Sequence, residues 1–514
     1  MNLAVRAKSF AAYCGTKGRA CGRRGRRYRI GIVKMKIMNR WLVGRVAAAI
    51  KRRGGRNSVA YITPVCVVIS AFFLQSCSQV DGSPFALREQ PLFAPGHEIR
   101  RLIENDFVAY DPDYRKKRTF YGARLLALAG KLAATQAAGN QMACSNQIFL
   151  EAKWLYHYTA DWQRLDRRLG QLSASLNDRD QTFGLAQSRD DGMWGVCYDE
   201  WFLKVGATFQ AIEELYDEGR TPAYPIGNLE RISSPRKLRR YIEELLISDI
   251  AKTGRDNRAE LVSMTSILSA TYFKEYLETY LREDVSGEPG TRGLYPWDSF
   301  EAIYFDLLSR WQDRKTGFWG AWYRTEGGLY RTADLSMTYH TIAYRGGRVD
   351  RWPQIIETLP GIRREPYPYG WLHDGHINNH NAYDVARIMK LGWAYMDDSQ
   401  RRRSREAIGE MLDWTLGKSL DESGGFKIDL TFFDSLAAEY YFGVSFLDLI
   451  GYWNPARRFW TDADFPDSVA LCYRIKKRLA ALGLDQPAAR EALRRLDDNC
   501  PGQSGSTANG DFGG

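Results

Sequence analysis

The stretches FGLAQSRDDGMWG (residues 183–195) and LSRWQDRKTGFWG (residues 308–320) share one pattern, apolar-x3-Gln-x4-Gly-x-Trp-Gly. Gln187, Gly192 and Trp194 in the first match Gln312, Gly317 and Trp319 in the second. A reduced copy, Asp421-Glu422-Ser423-Gly424-Gly425-Phe426, keeps the Gly-x-aromatic end and lacks the Gln. Each reads as the end of an outer helix, a turn whose glycine takes positive φ, and an aromatic plug before an inner helix begins. A repeated helical hairpin buries its apolar face only against its neighbours, so such units stack.

The sequence around these turns is helical in period. In Asn381–Tyr395 the apolar residues Ala382, Val385, Ala386, Met389 and Trp393 recur at helical spacing, and Leu238, Tyr241, Ile242, Leu245 and Leu246 do the same. Alternating strand patterns are scarce. The expected fold is therefore all-α: an α/α toroid of about five to seven helical hairpins over residues 98–495. An open helical solenoid is what the same repeats would build if the ring did not close. Residues 77–97 read as a tether and residues 496–514 as a disordered tail.

The Gln-x4-Gly-x-Trp turn resembles the QW motif of squalene–hopene cyclases and the Gly-rich turns of protein prenyltransferases. The resemblance implies a toroid, an architecture that six-hairpin glycosidases and polysaccharide lyases also use. The cyclases' acidic D-x-D-D motif is absent, and Asp334-Leu335-Ser336-Met337-Thr338-Tyr339 lacks the D-x-C element of the prenyltransferase zinc pattern. Fold alone leaves the reaction open.

Charge separates the chain into two parts. Of 72 Lys and Arg residues, seventeen lie in residues 1–76, where no Asp or Glu occurs; the other 55 stand against all 61 acidic residues. The body is thus mildly acidic, and no nucleic-acid partner is expected. The uncharged apolar run Val59–Leu74 follows Lys51, Arg52, Arg53 and Arg56, and ends at Leu74-Gln75-Ser76-Cys77. This is the layout of an export signal. Its end resembles the lipobox of bacterial lipoproteins, which implies cleavage before Cys77, lipidation of that thiol, a membrane anchor, and a periplasmic or outward-facing protein. Residues 1–76 would be the targeting segment, with Met35 or Met38 as the true start. In an oxidising compartment Cys144, Cys197, Cys472 and Cys500 allow two disulfides, with three pairings that spacing does not separate.

Candidate functional residues fall where connecting loops would lead into inner helices. Three of the six histidines, His373, His376 and His380, lie within eight residues beside Trp371, Asp374 and Asn379. Such a concentration of donors and acceptors suits hydroxyl-rich ligands or acid–base chemistry. The i, i+4, i+8 spacing of His376, His380 and Asp384 would share a helix face, but no metalloprotease pattern is met, and neither metal nor cofactor is expected. Glu326, Asp334, Tyr339 and His340 form a second group, with Asp191 and Trp322 at the preceding rim positions. A rim rich in aromatic residues suits sugar rings. A carbohydrate-active enzyme, monomeric and acting on a polymer or oligosaccharide, is the leading expectation. Hydrolysis stands ahead of lyase chemistry, with Asp374 and Glu326 (or else Asp334 or Asp191) as the carboxylate pair. In that scheme His340 and His376 orient hydroxyls, and Trp371 stacks a sugar. A lyase would use Tyr339 or His340 as base. The alternatives are a non-catalytic glycan-binding or envelope-assembly lipoprotein, and an isoprenoid-acting toroid enzyme.

Overall fold

Every residue from Arg258 to Ser269 is buried, and so is every residue from Ala437 to Leu449. Helices with no solvent-facing stripe belong inside a helical assembly. They identify the inner layer of a computed structural model that describes residues 84–86, 90–137, 140, 142–178, 181–269, 300–373, 375–427, 435–484 and 486–500. Pro84–Ala86 is a single 3-10 turn of an N-terminal unit, and the helical body is a separate unit that begins at Leu87. Cys77 and the targeting segment lie outside the described residues, as do Asp374 and the tail beyond Cys500.

The body opens with α1 (Gly96–Tyr110), α2 (Tyr114–Ala137), α3 (Ala143–Tyr158) and α4 (Trp162–Ser175). Asp161 caps α4 by accepting from the Arg164 backbone N–H at 3.0 Å, and α4 packs back along α3. The first inner helix, α5 (Trp201–Asp217), is backed by this pair, with Phe202 edge-on to Trp154 at 5.4 Å. Outer and inner helices then alternate: α6 (Pro235–Leu246) and α7 (Arg258–Ser269), α8 (Phe300–Trp311) and α9 (Leu335–Tyr344), α10 (Trp352–Gly361) and α11 (Asn379–Gly392). The last two pairs are α12 (Asp398–Trp414) with α13 (Leu436–Leu449), and α14 (Ser468–Ala481) with α15 (Pro487–Asn499). The outer helices are amphipathic. In α6 the buried residues are Leu238, Tyr241, Ile242, Leu245 and Leu246, while Ser234 caps the first turn ahead of Pro235. Each fully buried Leu or Ile contributes about 1.5–3 kcal/mol.

The fold is an all-α toroid of helical hairpins, and contacts at the helix ends give its inner layer one polarity. Arg258 at the start of α7 binds Asp334 at the start of α9. Asn379, the first residue of α11, donates to Glu439 in the first turn of α13 at 2.6 Å. At the other end Asp448 of α13 accepts from Arg495 and Asn499 of α15. The N-termini of the inner helices therefore form one rim.

The two repeated turns share three hydrogen bonds. Gln187 and Gln312 each donate to the carbonyl of the turn glycine at 2.8 Å, Gly192 and Gly317 respectively. Each donates again to the backbone beyond the next inner helix, at Tyr224 (2.7 Å) and Asp350 (2.8 Å). The Trp194 and Trp319 amides both donate to a threonine of the inner helix after the turn, Thr208 and Thr338, at 3.0 Å. Gly192 and Gly317 have φ of 66° and 72°, and a Cβ on either would strike the neighbouring segment, at Pro225 and Ile355. The Gln thus ties one hairpin to the next.

Four short strands depart from the all-helical expectation. β1 (Leu92–Phe93), β2 (Ile247–Ser248), β3 (Trp322–Thr325) and β4 (Gly328–Arg331) form a sheet in the order β1-β4-β3-β2. Pairing of β1 with β4, and the opening of α1 at Gly96, bring the last residues of the expected tether into the folded unit. Likewise α15 runs to Asn499, past the expected boundary at 495. Disulfides join Cys144 to Cys197 and Cys472 to Cys500, selecting one of the three pairings.

Candidate active site at the inner-helix rim

The histidine-rich segment is a loop braced between two inner helices. The Pro368 carbonyl accepts from the Leu335 and Ser336 N–H groups that open α9, at 3.0 and 3.3 Å. Asn378 caps α11 by accepting from the Asn381 N–H at 2.8 Å, and the Asn381 side chain donates to the Trp371 carbonyl at 2.6 Å. His373 and His376 exchange backbone hydrogen bonds of 2.9 Å across a tight turn with Gly375 at φ 83°. The helix therefore starts at Asn379, later than the i, i+4, i+8 spacing requires. His376 lies on the exposed turn and only His380 and Asp384 share a helix face.

His380 and Asp384 form the centre of the site. Nε2 of His380 lies 3.6 Å from Oδ2 of Asp384; the imidazole is partly exposed and the carboxyl has no exposed surface. Neither oxygen of Asp384 has a hydrogen-bond partner among the described residues. Burial pushes its pKa well above the usual carboxylate range. Tyr367, half-buried in the bracing loop, has its ring centroid 5.7 Å from that of His380 and its hydroxyl bonded to Ser336. Burial first, and then Asp384, raise the pKa of its phenol. Phe442 of α13 packs against His380, ring centroids 4.1 Å apart.

Deeper in the ring the inner helices meet through tyrosines. Tyr383 of α11 lies 5.9 Å from Tyr339 of α9 and 6.4 Å from Tyr441 of α13. His340 stacks on Tyr344 at 5.7 Å, and burial lowers its pKa to about 4, leaving it neutral. His340 and Tyr339 are thus buried beneath the rim.

The remaining expected site residues have other surroundings. Asp334 caps α9, accepting from the Met337 N–H at 2.9 Å, and binds Arg258 through both oxygens at 2.5 and 2.9 Å. Glu326 sits exposed at the tip of the β3–β4 hairpin, and Trp322 is buried in β3. Asn379 is fully engaged, with Ser419 and Glu439 accepting from its amide nitrogen and Thr415 donating to its oxygen. Trp371 turns toward the outer layer, with the Arg363 guanidinium 5.7 Å from its ring and Ala407 and Met411 of α12 nearby. Asp191 belongs to the first Gln-Gly-Trp turn, where it accepts from the Met193 N–H at 3.1 Å. Among the described residues, no group of three or more His, Cys, Asp or Glu side chains converges as a metal site. Asp384 and Tyr367 are not among the catalytic residues expected from sequence. For Asp384 the one signal was its spacing of four from His380; for Tyr367 there was none beyond the aromatic richness of the rim.

No family model matches the chain, and no curated protein or solved structure is significantly similar to it.

Proposed function

We propose that the protein is a carbohydrate-active enzyme that cleaves an acidic glycan by β-elimination, with His380 as base and Tyr367 as acid. One observation carries this reading. Among the described residues, the carboxyl group beside His380, that of Asp384, is wholly buried, and the partly exposed imidazole has the Tyr367 ring next to it, so an imidazole and a phenol stand together at this helix start. Paired carboxylates flanking the bond are what hydrolysis requires. An imidazole suits removal of the weakly acidic proton beside a uronate carboxyl group. In such a step His380 takes that proton, the electron pair forms a carbon–carbon double bond, and the bond to the glycosidic oxygen breaks. Tyr367 protonates the departing oxygen and regains a proton from the His380–Asp384 pair. Asp384 positions the imidazole and does not touch substrate.

The export signal and lipobox-like Cys77 accompany this reading: the mature protein is a monomeric, lipid-anchored envelope lipoprotein. The two disulfides support an oxidising compartment. Mass spectrometry of the purified N-terminus tests the anchor, and an unmodified chain starting upstream of Cys77 would end it. The reaction is tested by incubating the protein with uronate-containing polysaccharides. An ultraviolet-absorbing unsaturated product is expected. New reducing ends without that absorbance would instead indicate hydrolysis, and binding without cleavage a glycan-binding protein.

A further inference from the structure

Between α6 and the first turn of α7 lies a cavity of about 500 Å³ walled by Arg231, Lys237, Arg240 and Arg255, with Tyr241 and Leu245 beneath. That volume lies within the range of ligand pockets. The sequence brings these cations together by three routes. Lys237 and Arg240 are one turn apart on the exposed side of α6, Arg231 sits on the 3-10 turn Glu230–Ile232 before it, and Arg255 lies opposite, on the loop entering α7. Two carboxylates share the wall, Glu244 and Glu260. Glu260 is buried and already bonded by the Tyr241 hydroxyl and Arg255, and Glu244 is exposed.

The positive charge is therefore not balanced from within. Arg240 makes no hydrogen bond or ion pair among the described residues, and Lys237 reaches only the Ser233 hydroxyl at 2.9 Å. Arg231 lies over the Trp201 ring at 5.0 Å and no closer than 4.0 Å to Glu260. Like charges gathered around a hollow repel one another unless an anion enters, and guanidinium forks match carboxylate geometry. The cavity is on the same rim as His380: Arg255 leads into Arg258, which holds Asp334 at the start of α9, and the Tyr367 loop caps that same helix.

We propose that this cavity is a remote subsite for the carboxylate groups of an acidic oligosaccharide. The proposal rests on the acidic-glycan reading above. Two inner-helix spacings separate α7 from α11, on the order of 20 Å. A ligand reaching both places must span several sugar units, so the subsite discriminates by chain length.

The test is calorimetric binding of a uronic-acid disaccharide and longer oligouronates to the full chain and to a Lys237→Ala/Arg240→Ala double variant. Both residues are exposed, so the variant keeps its melting temperature. Affinity for long oligomers should fall about tenfold or more, with disaccharide affinity unchanged. Carboxyl-reduced long oligomers should bind the wild type as weakly as the charged ones bind the variant. Equal affinity of both proteins for long oligouronates would overturn the subsite, even if unsaturated product forms. Loss of long-chain binding without any unsaturated product would keep the subsite and end the elimination reading.

Discussion

Nε2 of His380 stands 3.6 Å from Oδ2 of Asp384, one helical turn further along α11, and the pair is sharply graded in exposure: 16% of the imidazole side chain is accessible and none of the carboxyl. His380 is thus the partly exposed group that stands beside a buried carboxyl group.

Replacing Asp384 by Asn keeps the shape and removes the titrating group. Activity should fall of order 10²-fold or more. Stability should move the other way at neutral pH. The folded-state pKa of Asp384 is raised, so the folded chain holds a proton that the unfolded chain releases. Stability is then lost as pH rises above the unfolded carboxyl value of about 3.9. Asp384→Asn removes that loss, so its melting temperature should exceed that of the wild type at pH 7 and converge with it in acid. A variant with full activity would exclude Asp384 from the proton path.

His340 gives the opposite pH dependence. Its folded pKa is lowered to about 4, below the unfolded value of about 6.5, so on acidification the unfolded chain takes up the proton first. Its contribution is fully present above about pH 6.5 and is lost toward pH 4, by up to about 3 kcal/mol. Denaturant titrations across that window should show a flatter acid limb for His340→Phe, whose ring can still stack on Tyr344. An unchanged limb would mean the imidazole is hydrated.

The tying glutamines can be separated from mere turn formation. Gln312→Glu keeps the length and loses both donated bonds, to Gly317 and Asp350. A loss of about 1–3 kcal/mol in urea unfolding is expected. Gln187→Glu should show a similar loss although its oxygen still accepts from Ala223 and Tyr224, because its donors to Gly192 and Tyr224 are also gone.

Asp334 tests structure against chemistry. Asp334→Asn preserves the cap but leaves Arg258, itself buried, without its bidentate carboxylate. Breaking a buried pair from one side costs about 3–5 kcal/mol. The expected variant is markedly less heat-stable, with its remaining folded fraction turning over at the normal rate. A stable variant with abolished turnover would return Asp334 to the catalytic set.

Much of the architecture is legible in the chain itself. Spacing alone shows the Gln-Gly-Trp turns, because a turn between hairpins needs a glycine at positive φ and an aromatic plug at set offsets. The apolar period shows α6 and α11, since a face buried over several turns must repeat every three to four residues. The clustering of His373, His376 and His380 points to the loop and helix start that carry the candidate site. What tertiary structure alone decides is the role of each polar side chain. Asp334 and Glu326 look equivalent as sequence, yet one is locked by a cation 76 residues away and the other is solvated at a hairpin tip. Asn379 and Trp371 look alike as candidate ligand-binding residues in sequence, and the structure sets one against the next hairpin and the other against the outer layer. The two disulfide pairings, the small sheet, and the dry pocket around Asp384 likewise depend on segments far apart in sequence. Local propensity acts over a few residues; burial and long-range charge pairing, which set a carboxyl group's protonation, depend on which helices the stack of hairpins brings together.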